Sequence, residues 1–214
     1  MAEVITQAKR IGLDGIAVTD HNRLLSRRKA SALSKEYDFL VIGGVKGGDL
    51  VRRKAFHGDS HKHWIGLNLD DIPPRHDMQE LTEKIREEGG VSIAPHPYAR
   101  NGFRDYHTRG FDAVESLNGT RRDGEIQPRG LATVGGTDAH ARYMLGHAWT
   151  DVYESDGSLD SVLENVRKGN CVPRGSRIPL WIIAKFYAAV VGRYLLSEPC
   201  ELIQYGSRQL RKYC

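Results

Sequence analysis

Apolar positions recur along this chain in two rhythms. From Glu3 to Arg10 the apolar residues Val4, Ile5 and Ala8 fall at helical spacing, and Gly12 lies just beyond the stretch. Leu24–Tyr37, Met78–Glu88 and Leu159–Lys168 carry the same signature; Gly89-Gly90 stops the second and Gly169 closes the third. Between them lie short runs rich in β-branched residues, which predict strands: Gly15–Thr19, Phe39–Ile42, Trp64–Leu69, Val91–Ala94, Phe111–Leu117 and Leu131–Gly135. Strands alternating with helices predict an α/β protein with a mostly parallel sheet. A last apolar stretch, Ile178–Leu196, is interrupted by Lys185 and Arg193 and has Pro179 at its start. It predicts a packed or surface-lying helix without a transmembrane span. The expected organisation is a globular unit over residues 1–175 and a helical tail over 176–214.

Composition refines this picture little. The chain has 214 residues, 40% hydrophobic and 27% charged, enough for one buried core. A formal charge of +4 permits phosphorylated ligands or nucleic acid but requires neither, and no aromatic RNA-reading motif is visible. Cys171, Cys200 and Cys214 are odd in number and lack C-x-x-C spacing. They read as reduced thiols of a cytoplasmic protein, in keeping with a Met1 that leads straight into a charged amphipathic segment.

The polar residues that matter follow the strands. Asp20-His21, His63, His96 and Asp138-x-His140 stand at strand ends, where α/β sheets leave their open edge. Imidazole and carboxylate suit Zn²⁺, Mn²⁺ or Fe²⁺. If the chain stays extended, Asp138 and His140 point to the same side, because strand side chains alternate.

These segments resemble the PHP (polymerase and histidinol phosphatase) phosphoesterases. Gly12-Leu-Asp-Gly-Ile-Ala-Val-Thr-Asp-His-Asn22 is similar to the family's GLDGIAITDHN, and Gly89-Gly-Val-Ser-Ile-Ala-Pro-His-Pro-Tyr98 to its HPY motif. Asp112-Ala-Val-Glu-Ser-Leu-Asn-Gly119 resembles its DAIEVYNG strand, and Gly136-Thr-Asp-Ala-His140 with Leu145-Gly146 and Thr150 its GSDAH…LG…T. The resemblance runs from Met1 to about Gly175. It implies a distorted (β/α)7 TIM-like barrel and phosphoester hydrolysis by metal-activated water on a small phosphorylated metabolite or nucleotide. It places His21, His63, His96, Asp138 and His140 on metal-ligand positions. Asp20, His21 and His140 take catalytic roles, Asp20 by orienting a neighbouring imidazole. Glu115 and Asn118 are further candidates, Asn118 together with Lys46 for substrate. His57, His61, His76, His107 and His147 match no motif position and read as surface histidines, although His61 competes with His63.

Two departures stand out. The family opens with a strand bearing a His-x-His pair, ahead of the segment that here starts at Met1; this chain shows none there, so the expected barrel lacks its first strand. At Gly43-Gly-Val-Lys46 the family has GVE, with a glutamate bridging two metals. An ammonium offers no lone pair and repels cations. Fewer than three divalent ions are therefore expected. The alternatives are an N-terminally truncated enzyme, a local shift that lets Asp49 supply the carboxylate, or a degenerate, non-catalytic domain binding phosphate-bearing ligands or nucleic acid. In the last, Lys46 gives its charge to a phosphate in place of a metal.

Overall fold

The computed structural model describes residues 1–48, 62–73, 77–121, 126 and 128–196. Asp49, His57, His61, His76, Cys200 and Cys214 lie outside the described residues.

In chain order the elements are α1 (Ala2–Arg10), β1 (Gly15–Val18), α2 (Arg27–Tyr37), β2 (Leu40–Gly47), β3 (Trp64–Leu67), α3 (Met78–Glu87), β4 (Val91–Ala94), β5 (Ala113–Asn118), β6 (Ala132–Gly136), β7 (Ala148–Val152), α4 (Leu159–Lys168), β8 (Cys171–Gly175) and α5 (Leu180–Leu196). The strands β1 to β6 form one sheet in sequence order, and β7 pairs with β8 in a separate two-stranded sheet. The larger sheet curls into a half-barrel. Its concave face presents Ile16, Ile42, Ile65, Ile93 and Val134 toward a cavity of about 1560 Å³. Its order runs from β1 to β6 with no pairing between those two strands, so the described strands do not complete the expected (β/α)7 ring.

Three of the five pairings are parallel, but β3 runs antiparallel to both β2 and β4. The mostly parallel expectation therefore holds except at β3, and that exception positions the site. His63 precedes β3, so in a parallel strand it would sit at the closed edge. Because the strand is reversed, Trp64 pairs with Gly47 at the end of β2, and His63 arrives at the edge where the neighbouring strands finish.

The expected strand Phe39–Ile42 extends through the glycines to Gly47. These glycines permit close approach within a doubly paired strand. A side chain on Gly43 would collide with the Leu25 carbonyl, and one on Gly47 with the Trp64 ring. The expected helix from Leu24 begins only at Arg27, because the preceding backbone is tied elsewhere. Leu25 N donates to Gly44 O at 3.1 Å and Arg27 N to Leu69 O at 2.8 Å. The β7–β8 pair was not legible. Pro173 interrupts β8, and a proline marks an edge strand only once its partner is known.

Beneath the sheet, Leu81 and Ile85 of α3 pack with Phe103, Tyr106 and Phe111. On the other side Leu163 and Val166 of α4 cover Val91, Ala113 and Val134. Ile178, just before the tail helix α5, and Ile182 within it form a buried cluster with Met144, against which Ala139, Ala141, Ile183 and Phe186 pack. Among the described residues no helix is long and apolar enough to cross a membrane.

Candidate functional site

The site grows from the ends of β1, β2, β4, β5 and β6 and the start of β3. The β1–β2 ladder continues past Val18 as an isolated bridge between His21 and Lys46. Lys46 N donates to Asp20 O at 3.1 Å and Asn22 N to Lys46 O at 2.9 Å, which holds His21 beside Lys46. The His21, His63 and His96 rings form a row, with centroids 4.7 and 5.1 Å apart. His63 Nδ1 lies 3.2 Å from His96 Nε2, so one of these nitrogens carries the shared proton.

Across the cavity, Lys46 Nζ donates to Asp138 Oδ1 at 3.0 Å, and the two side chains are 7% and 13% exposed. Asp138 Oδ2 accepts from Thr120 Oγ1 at 3.0 Å and, more weakly, from Asn118 Nδ2 at 3.4 Å. Glu115 Oε2 accepts from the His96 backbone N–H and from Asn118 Nδ2, both at 2.8 Å. Asn118 Oδ1 in turn accepts from the Thr120 and Arg121 backbone N–H groups.

The charge states follow from this packing. Burial, reinforced by the Lys46 charge, pushes the His96 imidazole down to about 3, so it is neutral near pH 7. Burial and the neighbouring Asp138 charge push Glu115 up to about 7. Burial also works to raise Asp138, but the Lys46 and His140 charges and the Lys46 hydrogen bond outweigh it and hold the carboxyl well below the usual range. Asp138 and His96 both adopt positive φ, 52° and 31°. Non-glycine residues rarely do so, and such backbone clusters at functional sites.

The sequence-predicted residues thus meet unequally. His21, Lys46, His63, His96, Glu115, Asn118 and Asp138 come together. Asp138 and His140 both line the cavity, but not through strand alternation: β6 ends at Gly136 and the chain turns at Asp138. His140 is consequently exposed, its Nδ1 2.8 Å from the Asp138 carbonyl and its ring 5.8 Å from that of Phe186. Asp20 is also exposed, and among the described residues its carboxylate hydrogen-bonds no imidazole. Asn101 and Thr120 escaped sequence reasoning. Asn101 Nδ2 lies 3.0 Å from His63 Nε2, and its carbonyl accepts from His63 N at 2.7 Å. Both sit in irregular segments that no periodicity marks.

The donors have the right chemistry for a divalent ion but do not converge on one. Among the described residues no three His, Cys, Asp or Glu side chains form a metal-binding group. His63 and His96 supply a two-donor pair, His96 Nδ1 is buried without a hydrogen-bond partner among the described residues, and Asp138 is engaged by Lys46. As folded, these residues do not fit a metal cluster.

Comparison with known proteins agrees with the motifs. The family model described as PHP-associated matches residues 126–171. The chain is 34% identical over 128 residues to the uncharacterized protein MJ1587 of Methanocaldococcus jannaschii, covering 58% of this chain and 68% of that protein. A two-domain protein from Bacteroides vulgatus, described as containing a predicted PHP-like metal-dependent phosphoesterase, superposes with a TM-score of 0.56 at 16% identity. That match covers 81% of this chain but spans only 60% of the Bacteroides protein. PsfC from Pseudomonas syringae also superposes with a TM-score of 0.56, at 13% identity and 89% coverage of both chains. With the motif segments, the matched family model and the curled sheet in agreement, the chain belongs to the PHP family.

Proposed function

We propose that this chain is a PHP-type phosphoesterase that hydrolyses a small phosphorylated metabolite or a nucleotide phosphoester. The observation that carries the reading is the convergence of His21, Lys46, His63, His96 and Asp138 at one open edge of the sheet. The reading brings with it the distorted (β/α)7 barrel of the family, of which β1 to β6 form the curled part.

In this account Lys46 receives a phosphoryl oxygen. Asn118 is the second substrate contact, and it would release Asp138, its longest partner at 3.4 Å, to reach the ligand. Exposed His140 stands at the rim, where it can protonate the departing alkoxide as water attacks phosphorus, the proton given up by that water then returning to the imidazole. His21 and Asp20 flank the same opening. Asp138 and His140, ligand positions by resemblance, are engaged by Lys46 and kept for the acid role respectively. His21, His63 and His96 are the proposed ligands of Zn, Mn or Fe, with fewer than three ions held. Binding one requires these donors to close further than they do here.

The test is turnover of an aryl phosphate and a nucleotide panel with Mn²⁺ or Zn²⁺ present. Release of phosphate well above that of a His21→Ala, His140→Ala double variant is expected; equal rates would remove the reading. A second reading, a non-catalytic domain that binds phosphate-bearing ligands or nucleic acid, is favoured by the Lys46–Asp138 pair. It predicts ligand binding with no turnover, and for nucleic acid a binding strength that falls steeply with salt.

A further inference from the structure

Asp138 is a carboxylate enclosed at the end of β6, with each oxygen already engaged. Oδ2 accepts from Thr120 and Asn118, which are neutral donors. Oδ1 faces a cation, the Lys46 ammonium at 3.0 Å. That ammonium cannot drift away with its strand. Lys46 is paired to Ile65 of β3 on one side and bridged to His21 on the other, with its backbone N–H and carbonyl both hydrogen-bonded. Buried His63 and His96 lie close by, so the pocket offers a carboxylate and imidazoles to a positive charge that the chain itself supplies. Among the described residues Nζ has one hydrogen-bond partner, which leaves two of its three protons for a ligand in the adjoining cavity.

We propose that Lys46 is the resident cation of the Asp138 position: it keeps a divalent ion off that carboxylate and presents its N–H groups to a phosphoryl oxygen instead. The ligand class rests on the phosphoester reading above, whereas the exclusion of a divalent ion rests on the ion pair alone. Displacing a tethered ammonium would place two cations side by side, which is unfavourable wherever water is scarce.

The experiment reads occupancy, so a failure of hydrolysis would not affect it. Purified wild type, Lys46→Gln and Lys46→Glu are dialysed against Mn²⁺, and bound metal is measured by mass spectrometry and calorimetry. Lys46→Glu is expected to carry one more Mn²⁺ per chain than wild type, and adding Asp138→Asn is expected to remove it. Should Lys46→Glu not fold without metal, Lys46→Gln decides: it is expected to bind Mn²⁺ about tenfold or more tightly than wild type, since the repelling charge is gone. Equal stoichiometry and equal affinity in all three proteins would overturn the exclusion. In the presence of a chelator, wild type is expected to bind inorganic phosphate about tenfold or more tightly than Lys46→Gln. Equal binding, or none by wild type, would overturn the anion half.

Discussion

Asp138→Ala is expected to destabilise the protein by about 3–5 kcal/mol, because it leaves the Lys46 ammonium uncompensated in a buried position. Lys46 as a whole is only 5% exposed, so water replaces the lost carboxylate poorly. Lys46→Met alone is expected to be costly for the converse reason, since it strands the carboxylate with only Thr120 and Asn118 as donors. The double variant removes both charges together and should lose much less than the sum of the two singles. Urea denaturation of the four proteins measures this coupling. Strict additivity would mean that the pair is not a single electrostatic unit. Acid should act in the same direction. The folded-state pKa of Asp138 lies below its unfolded value. Its stabilisation is therefore present above the unfolded pKa and is lost as pH falls below about 4.

Glu115→Gln should act at the opposite end of the pH scale. Burial and the Asp138 charge raise the folded-state pKa to about 7, from an ordinary value of 4.5. The native state therefore keeps a proton that the unfolded chain releases. Stability from this group is fully present below the unfolded pKa and is lost as pH rises through 7, by up to about 3 kcal/mol in all. Glutamine keeps an acceptor for the His96 N–H and the Asn118 amide but does not ionise. Wild type is expected to lose stability between pH 5 and 8, measured by thermal or chemical unfolding, while the variant stays nearly flat and overtakes it at the alkaline end. Parallel curves would show that Glu115 titrates as an ordinary carboxylate.

Much of this site was legible because its residues lie in contiguous motifs. Asp20-His21 after β1 and His96 after β4 sit where a parallel strand ends, and a short run rich in β-branched residues reveals such an end from sequence. His63 was found for an incomplete reason. It precedes its strand, and only the reversed direction of β3, which is a property of pairing, brings it to the open edge. The alternation argument for Asp138 and His140 failed locally. Strand geometry stops at Gly136, and a left-handed turn at Asp138 buries one side chain and exposes the other. The inward direction of Lys46 was an open question in the sequence. It is settled by alternation along a β2 that runs through its glycines instead of turning at them. Asn101 and Thr120 brace the site from irregular segments, where no repeat distance announces a side chain's partner. The β7–β8 pair, with its proline and mixed polarity, was invisible for a similar reason.

The central claim is that the Lys46–Asp138 pair and the row of imidazoles form one site for a phosphoryl group. The most direct test is a crystal structure of the full chain grown with inorganic phosphate and Mn²⁺, with anomalous scattering used to locate the metal. The expected result is a phosphate oxygen about 2.7–2.9 Å from Lys46 Nζ, the lysine still on Asp138, and no manganese peak on that carboxylate. A manganese ion bound to Asp138 with Lys46 turned out to solvent, or phosphate bound away from this edge, would contradict it.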